Sequence, residues 1–452
     1  MPAIPQNNSF TTIIRRVDMP AADSLHHASM KDPIMLLTLL VMAALSPAGR
    51  SASDDAGQAG AFTSEKNGLS QRLVDQPSDG RLRQALPDGP LAGVWEKRRS
   101  YLRGRIYHSA VWTYAEMIVW GGGSEHQFYH DGGIYDPAKD QWRPVSQTNA
   151  PSGRWGHAAV WTGREMIVWG GRSSFAPREH QNDGALYNPD NDTWRRMSNV
   201  GAPAARSQMA AVWTGEELLV WGGWTDGGEC PPSGGSYHPR TDTWTPLPLE
   251  NAPEGRLEPA SVWTGREMIV WGGLLEGGKR SCGTGARYDP ESRTWRRLPM
   301  GGAPVSSRGM QAAWTGGEMV VWGGSHLDGE SPINVGMQTG ARYHPGADAW
   351  KPLAVNRAPE GRMDAGCAWT GTEMVVWSGG DQVKGNVRTG GRYNPATDGW
   401  TATANTGAPP GRGIMTAVWT GEGVLFYGGS TGGVEAFNET FFYHPPSPST
   451  LP

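Results

Sequence analysis

The motif V-W-T-G-x-E-M-I-V-W-G-G, at residues 160–171, recurs with small changes seven times along this chain of 452 residues. The first tryptophans of the copies are Trp112, Trp161, Trp213, Trp263, Trp314, Trp369 and Trp419, and their spacing stays between 49 and 55 residues. A regular period near fifty residues means stacked copies of one supersecondary unit, each too small to bury its own apolar face. The repeat therefore constrains architecture strongly and chemistry hardly at all.

The second copy shows what one unit builds. Residues 157–162 and 165–169 are two short apolar runs joined by Gly163-Arg164, the signature of a two-residue hairpin. Gly170-Gly171 ends the second run, and a polar loop of variable length follows. A third strand contains Ala185, Leu186 and Tyr187 and stops at Asn188-Pro189, where proline removes a backbone donor. A fourth carries Thr193 to Met197. The unit reads as a four-stranded antiparallel meander, A to D. Strands A and B place bulk on both faces, as strands covered on both sides do.

The seventh copy has strands A, B and C but no D, whereas 94–98 resembles a lone strand D placed before the first copy. Counting it, the D-strand tryptophans are Trp95, Trp142, Trp194, Trp244, Trp295, Trp350 and Trp400. The expectation is an all-β, seven-bladed β-propeller, its last blade closed 3+1 by an N-terminal outer strand, so that few sheet edges stay unpaired.

A Gly-Gly pair ends strand B at Gly121, Gly170, Gly222, Gly272, Gly323 and Gly428. A strand-C Tyr precedes a strand-D Trp with six residues between them at Tyr135/Trp142, Tyr187/Trp194, Tyr237/Trp244, Tyr288/Trp295, Tyr343/Trp350 and Tyr393/Trp400. On these features, over residues 91–445, the chain resembles the kelch family of β-propellers. Ser378 replaces the first Gly in the sixth copy, and Tyr114-Ala115 replaces the Gly-x turn in the first. A different turn geometry is expected there, because Tyr tolerates positive φ poorly.

The net charge of −4 and the lack of a basic stripe argue against nucleic-acid binding. Of the 22 Trp, twenty are locked into the repeat as core; Trp155 and Trp224 stand outside it. Residues 34–45 form a twelve-residue apolar stretch, too short to span a bilayer and suited to a signal-peptide core, with small residues to Ala48 for cleavage. Met30 is an alternative start to Met1. The expected layout is an N-terminal extension and signal peptide (1–48), a flexible linker (49–90), the propeller (91–446) and a Pro/Ser-rich tail (447–452), in a secreted or periplasmic protein without an integral membrane span. Ring closure makes a monomer the expectation. Cys230 and Cys282 fall in the B–C loops of neighbouring blades, where an oxidising compartment would permit a disulfide or leave two free thiols. Cys367 takes the place of Ala110, Ala159 and Ala211, and reads as a buried small residue.

The D–A and B–C loops share one face, and the B–C loops differ strongly in sequence, so recognition residues are expected there. Each copy carries an Arg near the start of strand A: Arg105, Arg154, Arg206, Arg256, Arg308, Arg362 and Arg412. The ring fits either an anion at the channel mouth or bonds to backbone carbonyls that staple each blade to the next. Because every blade has one, the requirement reads as the fold's. The positions just after it vary, and give Tyr107, His108, Trp155, His157, Gln208, Glu258, Met310, Gln311, Met363 and Asp364 as candidate binding residues. His126, His130 and Asp131 are weak metal candidates, as are Asp226 and Glu229 with Asp328 and Glu330 for Ca²⁺. No metal or cofactor is assigned.

No H-E-x-x-H, C-x-x-C or phosphate loop is present. The resemblance implies a binding or scaffold protein that engages a protein, peptide or glycan, and residues 34–45 add the expectation of export. The alternative is a sugar-processing enzyme similar to the sialic acid mutarotases, a family that is usually six-bladed. A galactose-oxidase-like copper radical site is disfavoured because its Tyr–Cys set cannot be assembled.

Overall fold

The computed structural model describes residues 92–124, 126–174, 179–275, 277–305, 308–326, 335–432 and 436–446. The expected signal segment, the linker and the C-terminal tail lie outside the described residues, as do Asp328 and Glu330. Among the described residues every regular element is a strand, and no helix is long and apolar enough to cross a membrane.

Seven antiparallel sheets follow one another along the chain. In blade two the strands are Ala158–Trp161, Met166–Trp169, Gly184–Asn188 and Thr193–Arg196, paired in sequence order as A–B–C–D. In blade seven, Thr416–Trp419, Val424–Tyr427 and Thr440–His444 are completed by Val94–Arg98, which runs antiparallel to strand C from Val94 opposite His444 to Arg98 opposite Thr440. The 3+1 closure is therefore present.

Hydrophobic burial runs between blades rather than within them. Each of seven apolar clusters draws on two adjacent blades; one joins Trp95, Trp377 and Phe426 across blades six and seven, and another joins Tyr427 with Met117 and Val119 across blades seven and one. The six B-strand tryptophans, Trp120 to Trp377, are at most 1 % exposed. The A-strand tryptophans are only half-buried, less enclosed than the repeat implied. Six D-strand indoles donate to a carbonyl in the neighbouring blade's D–A segment, as Trp194 Nε1 does to Ser146 O at 2.7 Å and Trp95 Nε1 to Ala404 O at 2.8 Å. In five blades the strand-C Tyr hydroxyl donates to an Asp at the C–D turn, as from Tyr187 to Asp192 at 2.6 Å.

Both departures from the repeat keep its geometry. Tyr114 takes φ +73°, close to the +94° of Gly163, and is 81 % exposed at the turn, so a different turn is not needed. Ser378 also takes a positive φ, +56°, and its hydroxyl donates to Val387 O at 2.7 Å and accepts from Arg412 N at 2.7 Å. Those bonds offset the steric cost that glycine avoids.

Candidate functional site

Six of the seven arginines lie in the D–A segment just before strand A and are at most 2 % exposed. Their guanidinium groups turn away from the channel. Arg206 Nη1 donates to Gly222 O and Ser233 O, both at 2.9 Å, its Nη2 to Ser233 Oγ at 3.1 Å, and its Nε to Ala204 O at 2.7 Å. Arg105, Arg154, Arg256 and Arg362 repeat the pattern. The side chain thus ties the B–C loop of its own blade, not the next one. The link between blades is made by the backbone: Gly122 N donates to Arg154 O at 2.8 Å, Gly171 N to Arg206 O at 2.8 Å and Gly223 N to Arg256 O at 2.7 Å. The anion-ring reading is set aside for these six. Burial lowers Arg206 and Arg362 to about 10, which still leaves both charged at neutral pH.

Arg308 is different. It stands six residues before its strand-A Trp, where the others stand seven before theirs. It pairs with Ser325, as Ile106 pairs with Gly123 and Met363 with Gly380, and so occupies the position after the ring arginine. Its side chain enters the channel, where Nε donates to Glu258 Oε2 at 2.7 Å. Burial opposes its charge, but Glu258, Asp364 and Tyr107 more than offset that and raise its pKa. Met310 and Gln311 shift register with it. Met310 packs half-buried between blades four and five, and Gln311 lies opposite Trp322.

The next position forms a belt around the channel. Tyr107, Gly156, Gln208, Glu258, Gly309, Asp364 and Ile414, one from each blade, all have φ between +52° and +65°. Five of these are not glycine, and left-handed backbone at such residues persists only where surroundings impose it. The cause is a chain of bonds from blade to blade: Gly156 N to Tyr107 O (3.2 Å), Gln208 N to Gly156 O (2.7 Å), Glu258 N to Gln208 O (3.0 Å), Asp364 N to Gly309 O (3.1 Å) and Ile414 N to Asp364 O (3.0 Å). The belt side chains differ at every blade that has one. Gln208 Nε2 donates to Glu258 Oε1, the Tyr107 and Trp155 rings meet edge-on at 4.6 Å, and Phe128 meets Trp155 at 5.3 Å. Burial drives the Asp364 carboxyl up, Arg308 opposes, Glu258 adds, and the result is about 6.

Other expected residues are structural. His108 Nε2 lies 2.8 Å from Thr416 Oγ1 and His157 Nε2 lies 2.9 Å from Ser109 Oγ, so each ring bridges to the preceding blade. Burial, aided by nearby Arg105 and Arg154, holds both well below their ordinary value, His157 at about 3. Met363 is buried. Trp224 is buried against Leu257, Leu274 and Cys230. All three cysteines are free thiols here: Cys230 packs in that apolar cluster and Cys282 Sγ lies 3.1 Å from Thr284 Oγ1. Asp131 is held by Arg103 (2.9 Å) and Arg105 (3.0 Å), and Asp226 by His180 (2.6 Å). Among the described residues no group of three His, Cys, Asp or Glu is placed to hold a metal.

The buried histidines carry a pH prediction. An unfolded His titrates near 6.5, so below that pH the unfolded chain binds more protons than the folded one and stability falls as pH falls. Asp364, raised in the fold, works in the opposite sense below about 6 and cancels one His. At about 1.4 kcal/mol per pH unit per group, the net loss between pH 6.5 and 5 is about 2 kcal/mol. Melting temperature followed over this range should drop accordingly, with a shallower slope in His157→Gln.

The B–C loops of blades two, four and six fold back as two-stranded hairpins, such as Arg172–Ser174 with Glu179–His180, beside the channel mouth. On the opposite face a cleft of about 450 Å³ between the turns of blades two and three is lined by Arg164, Arg195, Trp213, Glu216 and Arg240. The spacing of six rather than seven at Arg308 was the one sequence signal for its channel position. The belt bonds and Trp–carbonyl bonds had none.

Comparison with known families matches residues 107–324 and 259–449 to the KLHDC2/KLHL20/DRC7 Kelch-repeats domain. No curated protein matches the chain. Kelch propellers suggest a protein-binding or scaffold role. With seven four-stranded blades, strand-B Gly-Gly pairs and a family match over more than half its length, the chain belongs to the kelch-repeat β-propellers.

Proposed function

We propose that this protein binds a polypeptide partner over the channel mouth on the D–A/B–C face, with Tyr107, Trp155, Gln208, Glu258, Arg308 and Asp364 at the centre of the contact. The apolar segment 34–45 supports placing that activity outside the cytoplasm. One observation carries the reading: a nearly uniform scaffold presents a belt of side chains that differ from blade to blade, on strained backbone. Aromatic and Arg side chains are the residue types that dominate binding energy in interfaces. Enzymatic chemistry has no comparable support, because His108 and His157 beside the channel are buried, neutral and bonded to Thr416 and Ser109.

A display library selected on the full chain tests this. Selected peptides should lose at least roughly tenfold in affinity with Tyr107→Ala and Trp155→Ala, about 1.4 kcal/mol or more. They should be indifferent to Arg240→Ala and Glu216→Ala in the opposite cleft. The reverse pattern would move recognition to the other face.

A further inference from the structure

Arg308 and Asp364 are incompletely used by the fold. The Arg308 side chain is only 6 % exposed, yet its one hydrogen bond is from Nε to Glu258; Nη1 and Nη2 make none among the described residues. The Asp364 carboxylate likewise accepts no hydrogen bond there, and one of its oxygens lies 2.6 Å from where a Cβ on Gly309 would sit. Gly309, next to Arg308, thus brings the carboxylate against the guanidinium's own backbone. Polar groups left without protein partners at a channel mouth are met there by a ligand or by water.

Charge narrows the ligand. Arg308 is balanced by Glu258, which leaves Asp364 as one excess negative charge at neutral pH. A carboxylate or phosphate would meet two carboxylates. A bare cation would satisfy Asp364 and leave the Nη donors unmet. What fits is one positive charge with a carbonyl acceptor close beside it. In a polypeptide that combination occurs at the free amino terminus, whereas a lysine ammonium lies far from any carbonyl of its own.

We propose that the channel mouth recognises the free N-terminus of the partner polypeptide, its α-ammonium on Asp364 and its first peptide carbonyl on Arg308. The edge-on pair of Tyr107 and Trp155, extended by Phe128, offers an apolar wall to the first side chain. This rests on the polypeptide-binding reading above and names the feature that is read.

The test uses phenylalaninamide and N-acetylphenylalaninamide, titrated calorimetrically into the full chain at pH 7, with Asp364→Asn and Arg308→Gln alongside. Phenylalaninamide should bind, and the acetylated compound should be weaker by roughly tenfold or more, since it loses a charge-assisted bond. Asp364→Asn should abolish that preference while melting at or above the wild-type temperature, which separates lost recognition from lost folding. Arg308→Gln should weaken the amide without restoring the acetylated compound. Affinity should also decline above about pH 8, where the amine loses its proton. Equal binding of the two compounds, no binding of either, or a preference that survives Asp364→Asn would overturn the proposal. If display-selected peptides bind at the mouth equally well free and acetylated, the N-terminus inference falls and the polypeptide-binding reading stands. If they bind on the opposite face, that reading falls instead.

Discussion

Deleting Val94–Arg98 is expected to cost more than about 5 kcal/mol and to produce association that rises with concentration. Trp95 alone justifies most of that figure. It is 6 % exposed, contacts Trp377 at 4.6 Å, Tyr443 at 4.8 Å and Phe426 at 5.2 Å, and donates to Ala404 O. Removing a buried Trp typically costs about 3–5 kcal/mol, before the lost backbone ladder is counted. The deletion also uncovers Thr440–His444, whose unpaired donors and acceptors become a template for another chain. Denaturation with light scattering at several protein concentrations would read both effects. A deletion that melted like the full chain, without association, would show that the ring does not depend on this strand.

Arg206→Ala is expected to destabilise by about 3–5 kcal/mol, because a buried charge-assisted network is lost and three carbonyls are left unsatisfied. Arg206→Lys should recover little, since an ammonium cannot reproduce the planar fork. Its protein acceptors are neutral, so the deficit should be the same at pH 7 and pH 5. Arg308→Ala is the informative contrast. It leaves Glu258 and Asp364 uncompensated, so its deficit should be large at pH 7 and shrink at pH 5 as the Asp364 carboxyl takes up its proton. Melting temperatures of both variants at the two pH values separate a structural arginine from a channel arginine.

The contrast shows what the sequence could and could not reveal. Blade number and 3+1 closure were legible because the Trp and Gly-Gly positions recur at nearly constant spacing and each has a simple local cause. The arginines were legible as a structural requirement, but their targets were not, because the acceptors are carbonyls that any residue supplies. The ring membership of Arg308 was misjudged although a one-residue contraction marked it. A one-residue shift at the head of a strand exchanges a side chain packed into the blade for one in the channel. The Glu258–Arg308 pair and the belt depend on how neighbouring blades meet, which no single repeat encodes. Tyr114 kept its turn because an exposed side chain leaves only backbone strain to oppose positive φ, and Glu116 O still accepts from Thr113 N at 2.9 Å.

In this account the uniform positions build the ring, and the variable belt recognises the partner. The structure of the full chain bound to a display-selected peptide tests that division most directly. The peptide is expected over the channel mouth, its first residue within hydrogen-bond distance of Asp364 and Arg308 and against Tyr107 or Trp155. A peptide lodged instead among Arg164, Arg195 and Arg240, or along the outer D strands, would contradict it.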